Sequence, residues 1–359
     1  MIVIDMHLDL AMNALGWNRD LRKTVHHIRA DEAGMTQKGR AAGTVAYPDM
    51  RAGDMAVCSA TLLARENPKG GSNIDFRAPE MAYGFAMGCL AYYRQLEAEG
   101  HCRIIADWPG LERHVQEWET RGRDQTPLGF IISMEGADPI VAPAQVPAWF
   151  DAGLRVVSLV HYGVSRYAHG TGAPGGLTPL GKPMLQAMEA AGMVLDVTHL
   201  ADESFFQATD IFHGRILASH NNCRALVPGD RQFTDDQIRL IVERGGVIGA
   251  AFDNWMLYPG YVKLQTAREL VPIDNVVDHI DHVCQIAGNA RHSAIGTDLD
   301  GGYGTEQSPS GLDTIADLQK IPDLLRQRGY SEDDVRGIMH GNWLRLFREA
   351  WTAPATRAG

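Results

Sequence analysis

The chain has 359 residues, 45% hydrophobic and 21% charged, with a formal net charge of −11. That length suits one large α/β barrel with insertions or two smaller domains, and the composition is ordinary for a soluble globular protein. The negative charge argues against nucleic acid as a partner, because phosphate binding needs a basic surface. Eight short apolar runs then read as strands in chain order, at residues 3–7, 56–63, 129–135, 154–161, 194–199, 216–220, 246–252 and 293–297. Segments 79–99, 183–191, 235–243 and 275–287 between them carry helical periodicity. Strand–helix alternation at this spacing implies a parallel sheet. Eight strands imply closure into a (β/α)8 TIM barrel with long loops on its catalytic face. The expected layout is one barrel over residues 1–350 and a short tail over 351–359. Residues 67–76 and 167–180, rich in Gly, Pro and polar side chains, read as long loops of the kind that often join an active site.

No apolar stretch approaches the ~20 residues of a membrane span, and no basic segment followed by an apolar one precedes Ile2-Val3-Ile4. A membrane partner is therefore not expected. Cys58, Cys89, Cys102, Cys223 and Cys284 are scattered, without a Cys-x-x-Cys pair. They read as reduced thiols, and the expected location is the cytoplasm. No Gly-x-Gly-x-x-Gly follows a strand, so a dinucleotide fold has no support.

Five of the strand candidates run into residues able to bind metal or move protons: His7 and Asp9, Glu135, His199, His220, and Asp298. Chemistry in such barrels collects at the carboxyl ends of the strands. His7-Leu8-Asp9 places imidazole and carboxylate on one face of an extended chain, since side chains alternate with a period of two. Zinc accepts both donor types. His199 and His220 are 21 residues apart, about one β-α unit, which puts them on neighbouring strands. A carboxylate at Glu135 is costly to bury unless it is paired or bound to a cation. It can bridge two metals, or form a salt bridge to an arginine such as Arg166. Asp298 stands nearer its strand than Asp300 and is the expected proton-handling group, leaving Asp300 as a supporting residue or helix cap. His161 can stabilise a developing oxyanion or be a hydrogen-bonded rim residue. Arg231, in a loop with Pro228-Gly229-Asp230, can bind a substrate carboxylate, although a solvated loop arginine is the commoner case. Trp255, Tyr258 and Tyr261 can wall a pocket or belong to the core.

Together these strings resemble the membrane dipeptidase, or renal dipeptidase, family within the metal-dependent amidohydrolases. The matching motifs are Asp5-Met6-His7-Leu8-Asp9-Leu10, Met134-Glu135-Gly136, Gly176-Leu177-Thr178-Pro179-Leu180-Gly181 and Leu195-Asp196-Val197-Thr198-His199. Ser219-His220-Asn221-Asn222-Cys223-Arg224, Gly296-Thr297-Asp298-Leu299-Asp300-Gly301 and Gly341-Asn342-Trp343-Leu344-Arg345-Leu346-Phe347 complete them, in the family's order to about residue 348. The resemblance implies two Zn²⁺ per subunit: His7 and Asp9 on one, His199 and His220 on the other, Glu135 bridging, and a bridging hydroxide as nucleophile. It implies that Asp298 handles the proton and holds the substrate amine, that His161 contacts the tetrahedral intermediate, and that Arg231 binds the substrate carboxylate. It further implies a dipeptide substrate, tolerance of a C-terminal D-residue, and a homodimer. Leu8 stands where the family usually has Asn, Ala137-Asp138 where it has Gly and often His, and Gln232 where it has Asn. The expected function is thus a binuclear zinc dipeptidase. The alternatives are a metal-dependent hydrolase of an N-acyl amino acid or another small amide or lactone, and a non-catalytic metabolite-binding relative.

Overall fold

The barrel strands of the computed structural model, which describes residues 1–352, are buried at every position except the half-buried Arg155. In chain order they are β1 (Val3–Leu8), β2 (Met55–Leu63), β3 (Leu128–Glu135), β4 (Leu154–Ser158), β5 (Val194–Asp196), β6 (Ile216–Leu217), β7 (Ile248–Ala250) and β8 (Ser293–Ile295). They pair in the order β7-β8-β1-β2-β3-β4-β5-β6, every pair parallel. One parallel bridge, Ala218 to Ile248, joins the ends of the row. With helices around it, this is the expected (β/α)8 barrel. Parallel strands covered on both faces read as continuous apolar runs, which is why they were visible in the sequence.

Three features differ from the sequence reading. A ninth strand, Cys102–Ile104, pairs with the first residues of β3, and β4 takes the same edge only from Ile132 onward. The strands expected to run to 161, 199 and 220 stop at Ser158, Asp196 and Leu217. At β5 the physical reason is visible: the Asp196 carboxylate accepts from the backbone N–H groups of Thr198 and Ser219, both at 3.0 Å, so side-chain capping replaces the ladder. Finally, the last helix, Asn342–Thr352, takes in the first two residues of the expected tail. The remainder of that tail, 353–359, lies outside the described residues.

The expected helices appear as Pro79–Ala98, Gly181–Ala191, Asp235–Glu243 and Asp274–Ala287. Asp235–Glu243 is opened by a Thr234/Gln237 capping box, in which two otherwise unpaired groups satisfy each other. The 341–347 motif is structural. Asn342 Nδ2 donates to the carbonyls of Ala290 and Ser293, and Trp343 Nε1 donates to that of Ile295 at 2.9 Å, which ties the final helix to β8. No helix among the described residues is long and apolar enough to cross a membrane.

Candidate active site and metal centre

His7 and Asp9 leave the end of β1 on the same side, with His7 Nε2 3.8 Å from Asp9 Oδ1, while Leu8 between them is fully buried in the wall. The period-two expectation holds for the pair although β1 ends at Leu8. His199 follows β5 in a left-handed backbone conformation (φ 67°), which turns its ring back over the barrel mouth. His220 follows β6 and depends on a close approach. Gly249 and Gly296 present their Cα atoms to the Ser219 carbonyl, where an added Cβ would stand 2.2 and 1.8 Å from its oxygen. Side chains there would push Ser219 and His220 out of the mouth.

Glu135, at the end of β3, lies at the centre. Its Oε1 is 3.1 Å from His199 Nε2 and 3.3 Å from His220 Nε2, and its Oε2 is 3.5 Å from His7 Nε2. Two ligand-like sets result, His7-Asp9-Glu135 and Glu135-His199-His220, which share the one carboxylate. A third, His7-His220-Asp298, overlaps both. The donor chemistry fits cations. His199 and His220 point Nε2 at each other across 3.3 Å, and His7 Nε2 and Asp9 Oδ1 are buried with no hydrogen-bond partner. Ligand atoms sharing one zinc at about 2.0–2.1 Å in tetrahedral geometry stand about 3.3 Å apart, which matches these spacings. The far ring nitrogens are oriented by hydroxyls: His199 Nδ1 with Thr171 Oγ1 at 3.0 Å, and His220 Nδ1 with Ser219 Oγ at 2.9 Å. Such outer partners hold metal-binding imidazoles in place. Arg166, the alternative partner for Glu135, instead pairs with Glu66 at 3.1 Å.

The electrostatics follow from packing these groups without water. Burial opposes charge on Glu135, but His161, His7 and the contacts from His199 and His220 hold its carboxyl well below the usual range. Burial also opposes protonation of His7, yet Glu135, Asp9 and Asp298 outweigh it and raise the imidazole to about 10. Burial pushes Asp9 up to about 7, helped by Glu135 and opposed by His7. His199 and His220 are held well below their usual value by burial, reinforced by Arg231 among other positive neighbours. They are thus neutral, the form that binds metal.

Asp298 takes a left-handed turn (φ 58°), and its Oδ1 lies 3.8 Å from His7 Nε2. Burial, supported by Asp9, Glu135 and Asp253 against His7, carries its carboxyl well above the usual range. Asp300 points elsewhere and is neither a helix cap nor in contact with the cluster. It accepts from Thr44 N and Oγ1, both at 2.7 Å, and from Val45 N, and pairs with buried Arg19 at 3.3 Å. His161 lies in the loop beyond β4, its Nε2 3.8 Å from Glu135 Oε1 and its Nδ1 without a partner. Burial lowers it to about 4. Arg231 is 3% exposed, so it is not a solvated loop residue; Nη2 donates to the His220 carbonyl at 2.9 Å and Nη1 to Asn221 Oδ1.

These groups converge on a cavity of about 450 Å³ lined by Asp9, Glu135, His161, His199, Arg231 and Asp298, a size suited to a small molecule. Tyr162, Trp255, Met12, Leu63 and Ile74 form much of its apolar wall. Trp255 is thus a pocket residue. Asp138 and Tyr167 are buried and do not line the cavity; Asp138 accepts from Glu66 N and Arg166 N and Tyr167 donates to the Ile140 carbonyl. The sequence reading did not single out Arg65 and Asp253, which also line the cavity. Both stand shortly after an apolar strand, β2 and β7, so the strand-end rule applied evenly would have found them. Lys38 and Lys263, in irregular loops, carried no such signal.

Comparison with known proteins agrees with this geometry. Residues 1–358 match the family described as membrane dipeptidase, peptidase family M19. An uncharacterized Klebsiella pneumoniae protein is 29% identical over 73% of this chain and 94% of its own length. Dipeptidase aclJ of Aspergillus oryzae is 30% identical over 61% of this chain, and the match spans only 51% of that protein. The crystal structure of a metallopeptidase from Rhodobacter sphaeroides, liganded with a phosphinate mimic of L-Ala-D-Ala, superposes with a TM-score of 0.78 at 21% identity, covering 98% of this chain and 99% of that one. A family match over essentially the whole sequence, on a barrel whose strand ends gather His7, Asp9, Glu135, His199 and His220, means that the chain belongs to the membrane dipeptidase family, peptidase family M19, and is an enzyme of that metallopeptidase class.

Proposed function

We propose that this protein is a binuclear zinc dipeptidase that hydrolyses free dipeptides and accepts a D-residue at the C-terminal position. The observation that carries the reading is the placement of Glu135, buried, with one oxygen towards His199 and His220 and the other towards His7. In this reading His7, Asp9 and Glu135 hold one cation, and Glu135, His199 and His220 the other. Zinc bound there supplies Lewis acidity and a water deprotonated near neutral pH.

The remaining steps belong to side chains of the chain itself. Arg231, fixed by the His220 carbonyl and Asn221, offers its other N–H groups to the substrate carboxylate. Asp298 holds the substrate amine, takes a proton and returns it to the leaving amine; its raised pKa suits a group that must act as both base and acid. His161, which lines the cavity, directs a neutral imidazole to the carbonyl oxygen. Arg231 and Asp298 together span amine to carboxylate, which restricts substrates to dipeptides. The L-Ala-D-Ala mimic bound by the Rhodobacter sphaeroides metallopeptidase supports both the substrate class and the D-residue. A homodimer, on family resemblance, and a cytoplasmic location, on five unpaired and buried cysteines, complete the proposal.

The test is hydrolysis by the zinc-loaded protein of L-L and L-D dipeptides beside their N-acetylated and tripeptide counterparts. Cleavage confined to free dipeptides is expected. Activity on blocked amides but not on dipeptides would move the reading to a general amidohydrolase.

A further inference from the structure

One end of the cavity holds two ammonium groups that the proposed mechanism leaves unused. Lys38, from the loop after the helix Val25–Asp31, and Lys263, from the loop after β7, both line the cavity that contains Asp298 and Glu135. Neither lies within 4.0 Å of a carboxylate among the described residues, and neither donates a hydrogen bond to a protein group there. Each sits instead near an aromatic ring, Lys38 Nζ 5.8 Å from the centroid of Tyr303 and Lys263 Nζ 4.7 Å from that of Trp255. Rings hold a cation in place without neutralising it. Burial and the nearby charge of Lys263 depress the Lys38 ammonium, so the two like charges work against each other in the empty cavity.

Two further carboxylates reach Lys38 with their fields, Asp253 and Glu306, and Asp253 is already hydrogen-bonded. Both of its oxygens accept from Gln307 Nε2, at 2.6 and 2.7 Å, and one also accepts from Trp255 N. Asp253 and Glu306 therefore balance the two lysines only at a distance, with no direct ion pair, and both ammonium groups keep their donors free for an anionic group in the cavity. Lys38 lies by Tyr303, in the loop that follows Asp298, and Lys263 by Trp255, in the loop after β7, whereas Arg231 is held by the His220 carbonyl and Asn221 after β6. The lysines thus belong to the amine end and Arg231 to the carboxylate end. A second hollow of about 560 Å³ adjoins this end, with Trp17, Lys38 and Asn73 lining both it and the active-site cavity.

We propose that Lys38 and Lys263 form a specificity subsite for an acidic side chain on the amine-terminal residue, so that glutamyl-type dipeptides are preferred substrates. This rests on the dipeptidase reading and on Asp298 taking the amine. The test compares kcat/KM of the zinc-loaded enzyme for L-Glu-L-Ala and L-Gln-L-Ala, which differ only in charge and one donor, with L-Ala-L-Glu and L-Ala-L-Gln as the positional control. A preference of about tenfold for Glu-Ala over Gln-Ala is expected, the sum of two partly exposed ion pairs, and K38M/K263M should collapse that ratio towards one. Equal rates for Glu-Ala and Gln-Ala, or a larger acidic preference in the Ala-Glu pair, would overturn the subsite and leave the dipeptidase reading standing. Hydrolysis of none of the four, nor of any dipeptide in the wider panel, would overturn that reading and the subsite with it.

Discussion

Replacing Glu135 by Gln keeps the shape of the side chain and removes the charge that the two ligand sets share. Its oxygens lie 3.1 and 3.3 Å from the His199–His220 pair and 3.5 Å from His7, so both sets lose a ligand at once. A unit charge and a dication at the usual zinc–oxygen distance of about 2.1 Å attract by roughly 16 kcal/mol at an effective dielectric constant of about 20. Most of that is offset by desolvation. If a tenth survives, about 1.6 kcal/mol, affinity falls by more than tenfold at each site. The expected result is weakened binding of both zinc ions, read by competition with a chromophoric chelator and by metal analysis after dialysis, with circular dichroism confirming the fold. Asp9→Asn should weaken one site only, because Asp9 belongs to a single set. Two zinc ions bound to Glu135→Gln with wild-type affinity would refute the bridging role.

Asp298→Asn should lower kcat by at least about a hundredfold while metal analysis still finds two ions; near-normal turnover would remove Asp298 from proton transfer. Arg231→Met should raise KM for free dipeptides by about tenfold or more, the loss of a charged pair, and have much less effect on C-terminally amidated ones; equal effects on both would show that Arg231 does not read the carboxylate. Asp300→Ala leaves the buried N–H groups of Thr44 and Val45 without their acceptor and removes the longer of Arg19's two carboxylate contacts, Glu32 remaining at 2.8 Å, so urea denaturation should show a loss of about 2–3 kcal/mol; a loss below about 1 kcal/mol would contradict the buried network. His279, whose Nδ1 accepts from Cys223 N at 3.1 Å, is lowered by burial to about 3. The unfolded chain therefore takes up this proton near pH 6.5 and the folded one only near 3, so its contribution to stability is complete above about pH 6.5 and is lost as pH falls towards 3. His279→Asn should flatten the decline of Tm over that window, and an unchanged slope would assign the acid sensitivity to other groups.

Part of this was legible in the residues because it depends on local repetition. Strands buried on both faces must be apolar throughout, and a polar residue at the end of such a run is costly unless it has a partner. That made the barrel and the sites of His7, Asp9, Glu135, His199, His220 and Asp298 visible from the chain alone. The period-two argument reached His7 and Asp9 at the end of β1 but does not extend to Asp298 and Asp300, of which the residue nearer the strand is the one expected in the cluster. Both residues are left-handed there (φ 58° and 61°), and their side chains diverge, one to the cluster and one to Arg19.

Other features arise only when distant segments meet. The two oxygens of Glu135 face different histidines because β1, β5 and β6 close around β3. Arg231 is buried because the His220 carbonyl and Asn221 receive it. Lys38 and Lys263 come from irregular loops 225 positions apart (263 − 38) and meet only at the mouth. Sequence by itself determined which strands form and what chemistry their ends carry, since both follow from burial and periodicity along the chain. Which oxygen faces which nitrogen, and which loop cation reaches the cavity, was decided by barrel closure, because those distances depend on chain segments that share no local pattern.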